Sequence, residues 1–410
     1  MNWINRIDFQ RWTMANFIVL AFLGVVLRYI ICFPAGKLNY LFILHAHSHF
    51  AFAGWIFMAL AILLIRQIPE ADTPSFKWVL LLSLTSSFGM LISFSLQGYK
   101  AISIVFSTLF LVVTYRFGFL IINHLKNQKY DIIFSKLIKA AVFFLVISSL
   151  GPLALGALKA SGNMGIIYQN SIYFYLHFQM NGWMLFGVLA LVAKKYLNAD
   201  ISTKQGLRLQ INSFILSSVP LFFIFTLWSH PPQWVYLIAL CAALINAGSW
   251  FALLFKLRSS SNEIPSLVKF ALAAISLKVI FQILVCIPPI GEWTFANRNL
   301  IIGYVHLLTL GAITPVIINE FCLSLYKKAS KYLNGFYTAL TLIYLALLFI
   351  QPLFSVWKIS IPYYQHYLLA VSILYCMTGI FYFRQFFCKP LHLTFSHRKS
   401  LNQILYESNH

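Results

Sequence analysis

The chain has 410 residues, of which 60% are hydrophobic and only 10% charged, and its mean hydropathy is +0.80. A soluble domain is about 25% charged, so an ordinary soluble enzyme, a disordered protein and a disulfide scaffold are all excluded, and the composition is that of a polytopic membrane protein. Thirty Lys and Arg stand against nine acids, a net charge of +21. In a soluble protein that excess points to nucleic acid; in a membrane chain it is first a topology signal, because Lys and Arg collect in cytoplasmic loops.

A membrane span needs roughly 20 mostly apolar residues. In chain order the sequence predicts twelve, at about 13–33, 41–65, 78–97, 101–123, 135–158, 171–193, 209–228, 233–255, 265–288, 299–324, 335–354 and 363–386. The connections are short, with the most polar loops at 196–208 and 257–264, and none could fold as a separate soluble domain. The first apolar run is long enough to span, and no small-residue cleavage site follows it.

With the N-terminus inside, 22 of the 30 basic residues fall on the inner side, from Arg6 and Arg11 to Lys389, Arg398 and Lys399. Arg28, Lys37, Lys100, Lys159, Arg298 and Lys358 stay outside, and Arg116 and Lys278 lie within spans. This bias predicts an all-α integral membrane protein of twelve helices with both termini cytoplasmic, in a bacterial inner membrane. It accounts for the excess charge without a nucleic-acid partner, and the lipid bilayer is the expected partner. The six cysteines form no CxxC pair, so neither a zinc knuckle nor a redox dithiol is indicated, and the lack of CxxCH excludes attached haem c.

Of the eleven histidines, His124, His392, His397 and His410 belong to inner segments. The other seven, His45, His47, His49, His177, His230, His306 and His366, all fall near the outer side. A lone intramembrane histidine is well explained by a hydrogen bond to a neighbouring helix. Several at one depth on separate helices point instead to a metal or haem layer, since imidazole is the commonest biological nitrogen ligand.

Local sequence strengthens the pattern. His49 opens HFAFAGW and His177 opens HFQMNGW, with Gly54 matching Gly182 and Trp55 matching Trp183. His306 keeps the His-x4-Gly spacing through Gly311. The intervals are 128 and 129 residues, each the length of four helices. The chain therefore reads as a single membrane domain, 1–410, of three tandem four-helix units at about 1–130, 131–260 and 261–410. His45 and His49 are four apart and share a helix face, while His47 points roughly the other way. His230 sits in WSHPPQWVY, where two prolines impose a rigid turn. Either that turn aims the side chain inward, or His230 is an interface histidine beside an aromatic belt.

Twelve helices in three such units resemble the haem–copper oxidase subunit I superfamily, whose ligands are histidines in helices 2, 6, 7 and 10 near the outer side. The nitric oxide reductase branch, with His-x3-Glu-Gly in helix 6, and the NnrS family, with a helix similar to YVHLLTLGAITPVI, are nearest. The resemblance implies b-type haem at His45, His49 and His306, and a metal, copper in this superfamily, at His47, His177 and His230. It also implies nitric oxide or oxygen as a small ligand, an electron-donor protein or quinol, and, if the chain is an enzyme, an oxidoreductase. Three positions depart from the pattern. Asn181 replaces the helix 6 Glu, Tyr304 replaces the other histidine of the helix 10 His-x-His pair, and Ser229-His230 stands where the pattern has adjacent histidines at the end of helix 7. The expected function is a haem-binding membrane redox or gas-responsive protein; a His-lined transporter or channel, or a non-catalytic haem-assembly protein, is the alternative.

Overall fold

The structure is a computed structural model that describes residues 7–33, 36, 38–68, 74–126, 130–197, 201–259, 263–322 and 327–387. The charges expected at Arg6, Lys37, Lys129, Lys389, Arg398 and Lys399, and His392, His397 and His410, lie outside the described residues. Among the described residues twelve helices are long and apolar enough to cross a membrane. They are α1 (Phe9–Cys32), α2 (Tyr40–Arg66), α3 (Pro74–Gln97), α4 (Ala101–Lys126), α5 (Ile132–Ala160), α6 (Ile166–Tyr196), α7 (Leu207–Ser229), α8 (Gln233–Arg258), α9 (Ser266–Val285), α10 (Arg298–Phe321), α11 (Lys331–Val356) and α12 (Tyr364–Gln385). The protein is therefore an integral membrane protein of helical class. The end of the bundle at which α2, α6 and α10 begin is called the upper end below.

Local chemistry sets the helix limits. Asn39 caps α2, its side-chain oxygen accepting from the Leu41 and Phe42 amides. Asp131 caps α5 in the same way through Ile133 and Phe134. Each side-chain oxygen satisfies amides that have no partner within the helix. In α7, Pro220 removes one backbone donor, and the upper half, Pro220–Ser229, winds as a tighter 3₁₀ helix. It stops at His230, whose φ of 50° is left-handed.

Three helices form the interior. The apolar windows of α2, α6 and α10 are 83%, 89% and 61% buried, against at most 44% for any other helix. They touch pairwise. Phe57 of α2 packs on Trp183 of α6 with ring centroids 5.7 Å apart. Trp55 Nε1 of α2 donates to Thr314 Oγ1 of α10 at 3.2 Å, and Tyr304 Oη of α10 donates to Asn181 Oδ1 of α6 at 2.9 Å. With lipid as solvent, such packing and hydrogen bonding, rather than hydrophobic burial, hold helices together.

The same three helices share an irregularity. Each has seven π-helical residues beginning one or two positions after its His-x4-Gly histidine: Ala51–Phe57, Phe178–Met184 and Leu307–Ile313. A glycine lies inside each. At Gly182 a Cβ would stand 2.5 Å from Phe144 Cβ, so only glycine lets α5 approach this closely. Single π-turns inside α-helices are frequent at functional sites.

Candidate functional site

The three π-helical helices carry His45, His47, His49, His177 and His306, and the structure sorts these into three settings. The first lies between α1, α2, α10, α11 and α12. A cavity of about 90 Å³ is lined there by Gly24, His47, His306, Thr309, Tyr344 and Ser372, among others. His47 and His306 lie about 10 and 12 Å along their helices from the upper end, so the two imidazoles line this cavity at similar depth. His306 Nδ1 donates to the Ile302 carbonyl at 2.8 Å. That fixes the tautomer and leaves Nε2 as the lone-pair nitrogen, the arrangement of a metal-ligating imidazole. His47 interacts with the Leu20 carbonyl, and its Nδ1 is buried with no hydrogen-bond partner. A buried nitrogen left unpaired costs free energy unless a ligand completes it.

Above this cavity sits a cation. Arg28 of α1 donates from Nη2 to Tyr344 Oη at 3.1 Å. The Tyr344 ring in turn meets the His306 ring edge-on, with centroids 5.2 Å apart. No carboxylate pairs with Arg28 among the described residues, where ion pairs occur at Lys195–Glu320 and His230–Glu292. Sequence reasoning set Arg28 aside as an outer-side charge. Its position inside the α1 span, with no acid in that helix's upper half, was the available signal.

The pairing expected from the sequence, His45 or His49 with His306, is not the one the structure makes. At 100° per residue the α2 face that meets α1 and α10 carries His47, and the opposite face turns His45 and His49 toward α3. There His49 stacks on Phe94 at 4.4 Å, and its Nε2 is hydrogen-bonded to Tyr99 Oη at 2.6 Å. Burial pushes the Tyr99 phenol up to about 12, so it stays protonated. His45 meets the Tyr99 ring edge-on at 4.6 Å. This second setting is an aromatic hydrogen-bonding cluster.

The third setting holds His177, one of the metal ligands the resemblance implies. His177 is 1% exposed. Its Nε2 donates to the Ser218 carbonyl at 2.8 Å, and its Nδ1 accepts from Asn181 Nδ2 at 3.4 Å. Both ring nitrogens are thus engaged by protein, leaving no lone pair for a metal. Asn181 continues the chain through Tyr304, whose hydroxyl accepts from Gln282 Nε2 at 2.9 Å. His230 is elsewhere: its side chain is 68% exposed at the upper end, and its Nδ1 lies 3.9 Å from Glu292 Oε1. His47, His177 and His230 are not brought together, and among the described residues no three His, Cys, Asp or Glu side chains cluster for a metal.

Two intramembrane charges behave differently. Arg116 is exposed and lies over the Phe119 ring at 5.6 Å, as a lipid-facing side chain does. Lys278 of α9 is 1% exposed, makes no ion pair among the described residues, and lies near enough to act on His177 electrostatically. Comparison with protein-family models and with curated proteins gives no match. What fold and geometry define is a class: an integral membrane protein with twelve spanning helices among the described residues and two imidazoles facing one intramembrane cavity.

Proposed function

We propose that this chain is a haem-binding membrane redox protein that holds b-type haem between His47 and His306. The observation that carries this reading is the imidazole pair itself. Two histidines from separate interior helices, at equal depth, line one cavity, one with its Nδ1 tied to a carbonyl and the other with a buried unpartnered nitrogen. Arg28, a cation with no carboxylate partner among the described residues, fits an anionic substituent at the cavity's upper edge. The cavity's 90 Å³ is smaller than a macrocycle, so haem binding requires surrounding side chains such as Phe17, Leu20 and Leu310 to turn aside. The three π-helical segments at 128- and 129-residue spacing support the three-unit architecture, and the charge bias supports an upper end that faces outward from a bacterial inner membrane.

Haem held here supplies one-electron chemistry, its potential tuned by ligands, hydrogen bonding and burial. The Ile302 carbonyl orients His306 and raises its basicity. The walls, largely apolar, exclude water. If both His47 and His306 held the haem, neither imidazole would leave room for nitric oxide or oxygen, which favours electron transfer over gas chemistry. The small cavity also favours a second reading, a single copper ion held by the same two imidazoles. Metal analysis with an absorption spectrum separates them. Haem gives a Soret band that shifts on dithionite reduction and disappears in His306→Ala; copper gives stoichiometric metal without that band.

A further inference from the structure

On another face of α10 from His306, a cavity of about 290 Å³ lies between α6, α7, α9, α10 and α11. Small-molecule sites begin at about 300 Å³, and an apolar cavity of about 150 Å³ already holds one benzene ring, so this one takes a small head group and several methylenes. Its side walls are apolar, with Leu176, Ile224, Phe225 and Phe349 among them. Trp293 and Phe295 of the short helix Pro288–Ala296 cover its upper end. Leu284 and Leu353, which also line it, are 38% and 43% exposed on the lipid-facing surface. The mouth therefore opens sideways into the bilayer, and a long chain can lie partly inside and partly in lipid.

The inner end carries the polar groups, His177, Gln282 and Tyr304. Both His177 nitrogens are engaged, and the Tyr304 hydroxyl donates once and accepts once. Gln282 is 2% exposed, and its Oε1 is buried with no partner among the described residues. Its Nε2 uses one of two hydrogens on Tyr304. What remains is one acceptor and one donor on a single amide. A carboxylic acid carries a donor and an acceptor side by side, so it complements that amide in two parallel bonds, whereas an ester brings no donor. A second observation selects an acid over an alcohol. Lys278 lies one turn inward of Gln282 on the same face of α9, about 6 Å away along the axis. It is 1% exposed and makes no ion pair among the described residues. Helices α6, α7, α9 and α11 contain no acid, and Glu320 of α10 is held by Lys195 at the inner end. A buried cation without a counter-charge is costly, and an acidic ligand supplies that charge.

We infer that this cavity is a lateral binding site for a long-chain fatty acid, its carboxyl group on the Gln282 amide and its tail leading out to lipid. The site goes beyond the haem reading and stands apart from it, since neither His47 nor His306 lines it and its test needs no haem. The test uses the full chain in lipid nanodiscs, titrated with tritiated palmitic acid, its methyl ester and hexadecanol, each counted above protein-free discs. Wild type binds the acid at least about tenfold more tightly than the ester or the alcohol, because only the acid satisfies the buried amide and faces the buried cation. Gln282→Leu erases the preference for acid over ester. Lys278→Met narrows the preference for acid over alcohol and leaves alcohol binding unchanged. Leu353→Trp, at the lipid-facing mouth and outside the core, weakens all three. The acid preference persists in His306→Ala. Equal affinity for acid and ester in wild type overturns the proposal, as does tighter binding of the alcohol than of the acid. So does acid binding unchanged in Leu353→Trp, or a phospholipid chain retained in the cavity against excess palmitic acid.

Discussion

Tyr304→Phe isolates the hydrogen-bond chain that joins α6, α9 and α10. The substitution keeps the ring and removes one hydroxyl. Two bonds between helices go with it, from Gln282 of α9 and to Asn181 of α6, each 2.9 Å long. Interhelical hydrogen bonds in membranes contribute about 0.6 kcal/mol on average and about 1.7 at most. The expected loss is therefore about 1–3 kcal/mol. Asn181→Leu removes one of the same bonds together with a long 3.4 Å contact to His177, and the expected loss is about 1–2 kcal/mol. Because both substitutions delete the Tyr304–Asn181 bond, the double mutant falls short of additivity by about 0.6 kcal/mol or more. Equilibrium unfolding in mixed sodium dodecyl sulfate micelles measures all three. A Tyr304→Phe cost below about 0.5 kcal/mol, or strict additivity, refutes the chain as a structural tie between three helices.

Other outcomes follow from the same contacts. Gly182→Ala places a methyl 2.5 Å from Phe144 Cβ, and overpacking of this kind costs about 1–3 kcal/mol, read as a lower midpoint in the same micelles. His230→Ala, at an exposed turn with its nearest acid 3.9 Å away, leaves that midpoint and any bound metal unchanged; a lost metal on elemental analysis contradicts this. Arg28→Leu leaves the fold intact but weakens haem retention through dialysis, whereas Arg116→Leu, on the lipid-facing surface, does not.

Much of the fold was legible because lipid enforces it. A span must be long, apolar and helical, so all twelve helices were readable from hydropathy, most within a few residues of their limits. The short helix Pro288–Ala296 was not read, because nine residues between two spans carry no hydropathy signal of their own. The 3₁₀ half of α7 was signalled by Pro220 but passed over for the apolar pattern. The π-helical turns depend on how α2, α6 and α10 pack against their neighbours, which no single-helix pattern records.

The candidate site was legible as a set of residues rather than as pairs. Periodicity showed that His47 faces away from His45 and His49, yet which face meets α10 is decided by the packing of α1 and α3 around α2. The family resemblance implied that His177 belonged with His230. The left-handed residue at His230 turns its side chain outward, while Ser218, freed at the break in α7, takes the His177 proton donor. Gln282 was missed because a glutamine in an apolar span reads as an ordinary helix contact until its unpaired oxygen is seen beside a cavity.

The central claim is that His47 and His306 together hold haem, and one measurement bears on it most directly. Chains purified from haem-replete cells are compared by dithionite-reduced minus oxidised absorption spectra, for wild type and for single alanine variants at His45, His47, His49, His177 and His306. The account predicts a Soret and α-band signal in wild type that is lost in His47→Ala and His306→Ala and kept in the other three. A colourless wild type, or a signal that survives His47→Ala and His306→Ala but vanishes in His45→Ala or His49→Ala, contradicts it.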